Sequence, residues 1–152
     1  MFDYNLMLID GTVDVDSDTA ASFVAATSTT RAAATGAAVI DIGTGGTPAG
    51  GLCAVLIIPA LTTSTDYLTA TVQASGAEAF GSDVHEVCKF DKAAVTLGRV
   101  LASECTSGLV LIQRFDTDER YIRAVITPTK GTGDGSFSYV KVFLTPYAFK
   151  VL

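Results

Sequence analysis

Between Asp66 and Ala74 the sequence alternates without interruption, with Leu68, Ala70 and Val72 on one side and Tyr67, Thr69, Thr71 and Gln73 on the other. A period of two belongs to a β-strand with one face toward a core and the other toward solvent or a partner. Further strand-like blocks follow the same logic. Val39 to Ile42 is a short strand, stopped by the loop-forming run Gly43-Thr-Gly-Gly-Thr-Pro-Ala-Gly-Gly51. Leu52 to Ile58 is apolar on both faces, as a central strand would be. Val84 to Phe90 and Leu109 to Phe115 are bounded by Gly81-Ser-Asp83 and Thr106-Ser-Gly108.

Two strands close the chain, Glu119 to Thr127 and Phe137 to Thr145. The loop Pro128-Thr-Lys-Gly-Thr-Gly-Asp-Gly135 joins them, and its glycines can take the positive φ angles of a reversal. The pattern predicts a β-hairpin in which Ile122, Ala124, Ile126, Val140, Val142 and Leu144 face the core. Tyr121, Arg123, Tyr139, Lys141 and Phe143 are then left for an outer face that can meet a neighbouring subunit. In Lys92 to Ser103, Ala93, Ala94, Leu97, Val100 and Leu101 have helical spacing. Val95, Thr96 and Gly98 lower the helix propensity there, so a short strand or hairpin is expected.

Residues 1–36 read differently. Phe2, Tyr4, Leu6 and Leu8 alternate, and a low-complexity Ala, Ser and Thr tract runs from Ala20 to Thr35. The run Thr27-Ser-Thr-Thr30 is a poor helix former. The expectation is an extended N-terminal arm over 1–36, with Phe2, Tyr4, Leu6 and Leu8 as an interface outside a single sandwich domain over 37–152. Short strands, glycine-rich turns and the absence of a long helical pattern predict an all-β fold, a jelly-roll-like β-sandwich.

Composition narrows the function classes. Ten basic and sixteen acidic residues give a net charge of −6, which argues against direct contact with a nucleic-acid backbone. The longest apolar run, Leu52 to Leu61, contains Pro59 and is far short of the roughly 20 residues of a spanning helix, so no membrane segment is expected. The start lacks the basic and apolar regions of a secretory signal, which suggests synthesis in a cytoplasm. Only 17% of residues are charged and the mean hydropathy is +0.42, apolar enough to expect part of the surface in subunit contacts. Cys53, Cys88 and Cys105 are odd in number and widely spaced, as suits reduced, buried thiols.

Candidate chemistry is sparse. Asp14-Val-Asp-Ser-Asp18 opens like a calcium loop, but Thr19 stands where the turn needs glycine and Ala25 where a bidentate glutamate belongs. His85, the single histidine, is three residues before Cys88, which places the two on opposite faces of a strand. Neither Gly43-Thr-Gly-Gly-Thr nor Gly131-Thr-Gly-Asp-Gly-Ser precedes the Lys-Ser/Thr and helix of a phosphate cradle. Asp116, Asp118 and Glu119 read as a polar turn. No catalytic residue, metal ligand or cofactor site is expected.

The order of segments nevertheless resembles a known family. Val39-Ile-Asp-Ile-Gly43 is followed by the apolar strand Leu52 to Pro59 and by Asp66-Tyr-Leu-Thr-Ala-Thr-Val-Gln73. Ile112-Gln-Arg-Phe115, Glu119-Arg-Tyr-Ile-Arg123 and the closing strands complete the series. This order, from about Val39 to Leu144, resembles the jelly-roll capsid cement, or decoration, proteins of short-tailed bacteriophages. The resemblance implies a virion structural protein on the outer capsid surface, seated at junctions between major capsid protein subunits. It implies small homo-oligomers, dimers ahead of trimers. The alternative is a carbohydrate-binding or adhesin-like sandwich, with Tyr67, Tyr121 and Tyr139 as a stacking platform.

Overall fold

The computed structural model describes residues 4–11, 24–33, 35–62, 65–91, 99–129, 131, 137 and 139–146. Among these there is no α-helix; single 3-10 turns occur at Tyr4–Leu6 and Ala102–Cys105. The strands are β1 (Met7–Asp10), β2 (Val24–Ala25), β3 (Ile40–Asp41), β4 (Leu52–Ile58) and β5 (Tyr67–Ser75). Then come β6 (His85–Phe90), β7 (Val100–Leu101), β8 (Leu109–Phe115), β9 (Tyr121–Thr129) and β10 (Lys141–Pro146). They form two antiparallel sheets, one ordered β1-β10-β4-β8 and the other β2-β9-β5-β6, with β3 beside β9 and β7 beside β5. The fold is an all-β sandwich.

The alternation in the sequence explains the core. Leu68, Ala70, Val72 and Ala74 of β5 point inward, as do Ile122, Ala124 and Ile126 of β9, and all are buried. From the other sheet come Leu52, Ala54, Leu56 and Ile58 of β4 with Val142 and Leu144 of β10. Phe90 and Phe137 fill the largest volumes between the layers. Each of the large aliphatic and aromatic side chains among these contributes roughly 1.5–3 kcal/mol by leaving water.

The closing strands do not form a hairpin. β9 pairs along its whole length with β5, from Tyr67 opposite Thr129 to Ser75 opposite Tyr121, and its other edge is taken by β2 and β3. β10 is in the opposite sheet, between β1 and β4. The loop between β9 and β10 is therefore a crossover from one layer to the other. Its start is pinned where the Gly131 N–H donates to Asp66 Oδ1 at 2.6 Å, and Asp66 is itself buried. A side chain at Gly131 would run into Thr65, which restricts that position to glycine.

The described part of residues 1–36 also departs from the expected arm. β1 is the edge strand of the four-stranded sheet, with Met7 opposite Phe143 and Asp10 opposite Lys141. Leu8 and Ile9 are buried in the core. Beyond β1, the Ala38 N–H donates to the Leu8 carbonyl and the Asp10 N–H to the Gly36 carbonyl, both at 3.0 Å. The chain then enters β3 on the six-stranded sheet, so backbone hydrogen bonds close the sandwich along this side. Arg31 reinforces the closure by donating to the carbonyls of Gly36 at 2.7 Å and Met7 at 2.6 Å. On the opposite side the edges of β6 and β8 lie near one another. Lys92 to Leu97 and Gly98, and the Asp14 to Asp18 run, lie outside the described residues. Within the remainder of the ambiguous segment, Val100–Leu101 is a short strand and Ala102–Cys105 a 3-10 turn.

Candidate protein interface

The two outer faces of the sandwich differ in chemistry. On the six-stranded sheet, outward positions of β5 and β9 are Tyr67, Thr69, Thr71, Gln73, Tyr121, Arg123, Val125 and Thr127, a surface that is polar apart from buried Val125 and the tyrosine rings. Arg123 is locked within it. Its Nε and Nη2 donate to Gln73 Oε1 at 2.9 and 2.8 Å, and Nη1 donates to the Ala26 carbonyl at 3.2 Å. The guanidinium also stacks on Phe80, 4.2 Å from the ring centre, and burial lowers its pKa from the ordinary arginine value.

The outer face of the four-stranded sheet carries an apolar central row. Register places Met7, Phe143, Val55 and Ile112 in one row across all four strands; the row on one side runs Asp10, Lys141, Ile57 and Val110, and the row on the other Thr145, Cys53 and Arg114. Cys53, Val55 and Phe143 are buried although they point away from the main core. On the rim strand β8 the row comes to the surface, with Val110 57% exposed and Ile112 45% exposed. β8 pairs with β4 in unbroken register, and among the described residues no strand pairs with its other edge. Val110 and Ile112 thus set two exposed aliphatic side chains beside an unpaired strand edge, a place where a protein partner can dock.

The residues expected at the interface meet different fates. Leu8 is fully buried and Leu6 is half-buried against the core, so the N-terminal row does not supply an exposed apolar surface. Phe2 lies outside the described residues; Tyr4 begins the turn Tyr4–Leu6, and its side chain is outside them too. Phe143 is 6% exposed, which corrects its placement on a free outer face: its lateral neighbours Met7 and Val55 are apolar, and it is buried rather than left to a partner. Tyr121 is half-buried under the Arg120 guanidinium. Lys141 is exposed, and Tyr139 is 56% exposed at a positive φ of 58°, a strained conformation for a bulky residue. Val110 and Ile112 were missed as surface residues. Their signal was the run Leu109-Val-Leu-Ile112, apolar on both faces, in a strand that turns out to lie at an edge.

The tyrosines do not converge on a platform. Tyr67 and Tyr121 sit at opposite ends of the β5–β9 ladder, about 27 Å apart at 3.4 Å per residue. The Arg99 guanidinium covers the Tyr67 ring at 4.1 Å.

Polar groups gather at loop ends. Arg120 holds Asp41 through Nε at 2.9 Å and Nη2 at 2.7 Å, and this pair, with a bond from the Gly43 N–H, lowers the Asp41 pKa to about 2. His85 Nε2 is 3.6 Å from a Glu119 carboxylate oxygen, on the surface. A shallow cleft of about 290 Å³ is lined by Thr47, Pro48, Gly51, Arg114, Asp116 and Asp118. Its lining brings together a guanidinium and carboxylates, without a histidine or cysteine to act as base or nucleophile. Cys53 and Cys105 are buried, and desolvation pushes the Cys88 thiol up to about 12, which disfavours the reactive thiolate. Among the described residues no cluster of three or more His, Cys, Asp or Glu could hold a metal ion, and no helix is long and apolar enough to cross a membrane. Comparison with protein families, curated proteins and solved structures finds no match for this chain.

Proposed function

We propose that this chain is a non-enzymatic virion structural protein, a capsid cement or decoration protein of a tailed bacteriophage. In this reading it is made in the host cytoplasm, assembles with itself, and binds the outer surface of the head at junctions between major capsid protein subunits. The observation that carries the reading is the apolar row on the outer face of the four-stranded sheet, surfacing at Ile112 with exposed Val110 beside it, set against a mostly polar outer face on the other sheet. One face suits a protein partner and the other suits water.

Two further features support it. We read the strand order β1-β10-β4-β8 over β2-β9-β5-β6 as a jelly roll, an architecture of viral capsid domains, and this order supports the proposal. The order of sequence segments resembles the cement family. Lectins share the architecture, but the separation of Tyr67 from Tyr121 weighs against a stacking platform here.

The test is co-sedimentation of the purified protein with undecorated phage heads, followed by heat challenge of the heads. Binding and raised heat resistance are expected, with Val110→Asp reducing both at least tenfold. Absence of head binding, or head binding indifferent to Val110→Asp, would overturn the reading, as would selective capture on a glycan array.

A further inference from the structure

We propose that residues 28–33 and 35–38 form a proton-released strap, held across one side of the sandwich by a carboxylate from each layer and let go when those carboxylates are neutralised. The strap is closed by its own backbone, with the Val39 N–H donating to the Ser28 carbonyl and the Ala32 N–H to the Ala37 carbonyl, both at 2.9 Å. Its flanks are anchored, since Ala26 on one side and Val39 and Ile40 on the other are buried. Between them the only buried side chains among the described residues are Ala37 and Ala38, so little apolar area ties the strap down. Polar and charged contacts do the rest.

From the six-stranded layer, Glu78 in the connection between β5 and β6 accepts the Thr29 N–H at 2.6 Å. From the four-stranded layer, Asp10 of β1 lies 3.8 Å from Nε of Arg31, and a Cβ at Gly36 would strike its carboxylate. Glu78 is also faced by Asp41, whose charge opposes its ionisation, and by Arg120, which is bound to Asp41. Asp10 has Lys141 opposite it in the ladder. The strap's donors prevail at Glu78: the Thr29 N–H first, then the hydroxyls of Thr29 and Ser28, hold its carboxyl below the ordinary 4.5. A lowered value means that its contribution to docking is fully present above about pH 4.5 and is lost as pH falls through the folded value. The bond to the ionised carboxylate is roughly twice as strong as one to a neutral acceptor. Release has a consequence at β1. The strap gives the Gly36 carbonyl to the Asp10 N–H and the Ala38 N–H to the Leu8 carbonyl, so undocking uncovers the outer edge of β1, a row of pairing groups that neutral pH keeps hidden.

The strap is tested on the isolated protein, independently of head binding. Glu78→Gln and Asp10→Asn mimic the neutral acids at a pH where the rest of the chain is unchanged. At pH 8, trypsin should cleave after Arg31 at least tenfold faster in the double variant than in the unaltered chain, with Glu78→Gln alone in between. Amide exchange should accelerate at Asp10, Thr29 and Ala38, while Val72 and Ala124 in the β5–β9 ladder keep their protection. In the unaltered chain the NMR shift of the Thr29 amide should titrate below pH 4.5, and in Glu78→Gln it should not. The single variant and this titration decide the matter even where Asp10→Asn disturbs β1. Equal cleavage after Arg31 in Glu78→Gln and the unaltered chain, acceleration that extends equally to Val72 and Ala124, or a Thr29 amide indifferent to pH would overturn the proposal.

Discussion

Leu8→Ala separates a core strand from a detachable arm. Leu8 is fully buried on the inner side of β1, so truncation removes three carbons from the core. At about 0.8 kcal/mol per carbon the transfer loss is about 2.4 kcal/mol. A residual cavity adds to this, though an edge strand can relax toward the gap, which sets the expected total near 3 kcal/mol. For a chain of this size each kcal/mol is worth about 2–4 °C, giving a fall in Tm of about 6–12 °C. In urea, with m of about 2 kcal/mol/M, the midpoint should drop by about 1.5 M while m stays unchanged. Leu6→Ala, at a half-buried position, should cost about 1 kcal/mol. If Leu8→Ala cost less than about 0.5 kcal/mol, β1 would not be part of the cooperative core.

Two other predictions probe the loops. Gly45 and Gly46 both have positive φ, but a Cβ at Gly45 meets open space whereas one at Gly46 strikes the backbone of Thr117 and Asp118. Gly45→Ala should cost about 1–2 kcal/mol and Gly46→Ala about 3 kcal/mol or more, compared by chemical denaturation; equal losses would show that the loop yields. Asp41 has a folded pKa near 2 against an ordinary 3.8, so its contribution to stability is present above about pH 3.8 and is lost as pH falls through about 2. Arg120→Ala should move the Asp41 carboxyl titration back toward 3.8 by NMR, only partly because the Gly43 N–H remains; a value still near 2 would assign the shift elsewhere.

The strands were legible because alternation and apolar runs are local. Leu52–Ile58 and Leu109–Phe115 have the bounds that their sequences suggest, and Tyr67–Ser75 is displaced by one residue from Asp66 to Ala74. Pairing was not legible. A glycine-rich loop dictates that the chain turns, while the partner of β9 is decided by β5, whose nine-residue ladder outcompetes a local hairpin. The place of β1 is equally non-local, since Phe143 of β10 is its partner. The candidate surface was misread for a related reason. Alternation in β10 put Phe143 on an outer face free to meet a neighbouring subunit, but Met7 and Val55 come from distant parts of the sequence to flank it, and it is buried.

The position of β10 between β1 and β4 has a consequence for synthesis. Met7 waits for Phe143, so at about 5–20 residues per second β1 exists for roughly 7–27 s before its partner is made. During that interval β4 and β8 can pair, but the inner faces of Leu8 and Leu56 lack the strand that joins them. The four-stranded layer therefore forms only after Lys141–Pro146 has left the ribosome. Such long-range closure belongs with folding times of milliseconds to seconds, and a nascent chain stalled before Lys141 is the species most exposed to aggregation.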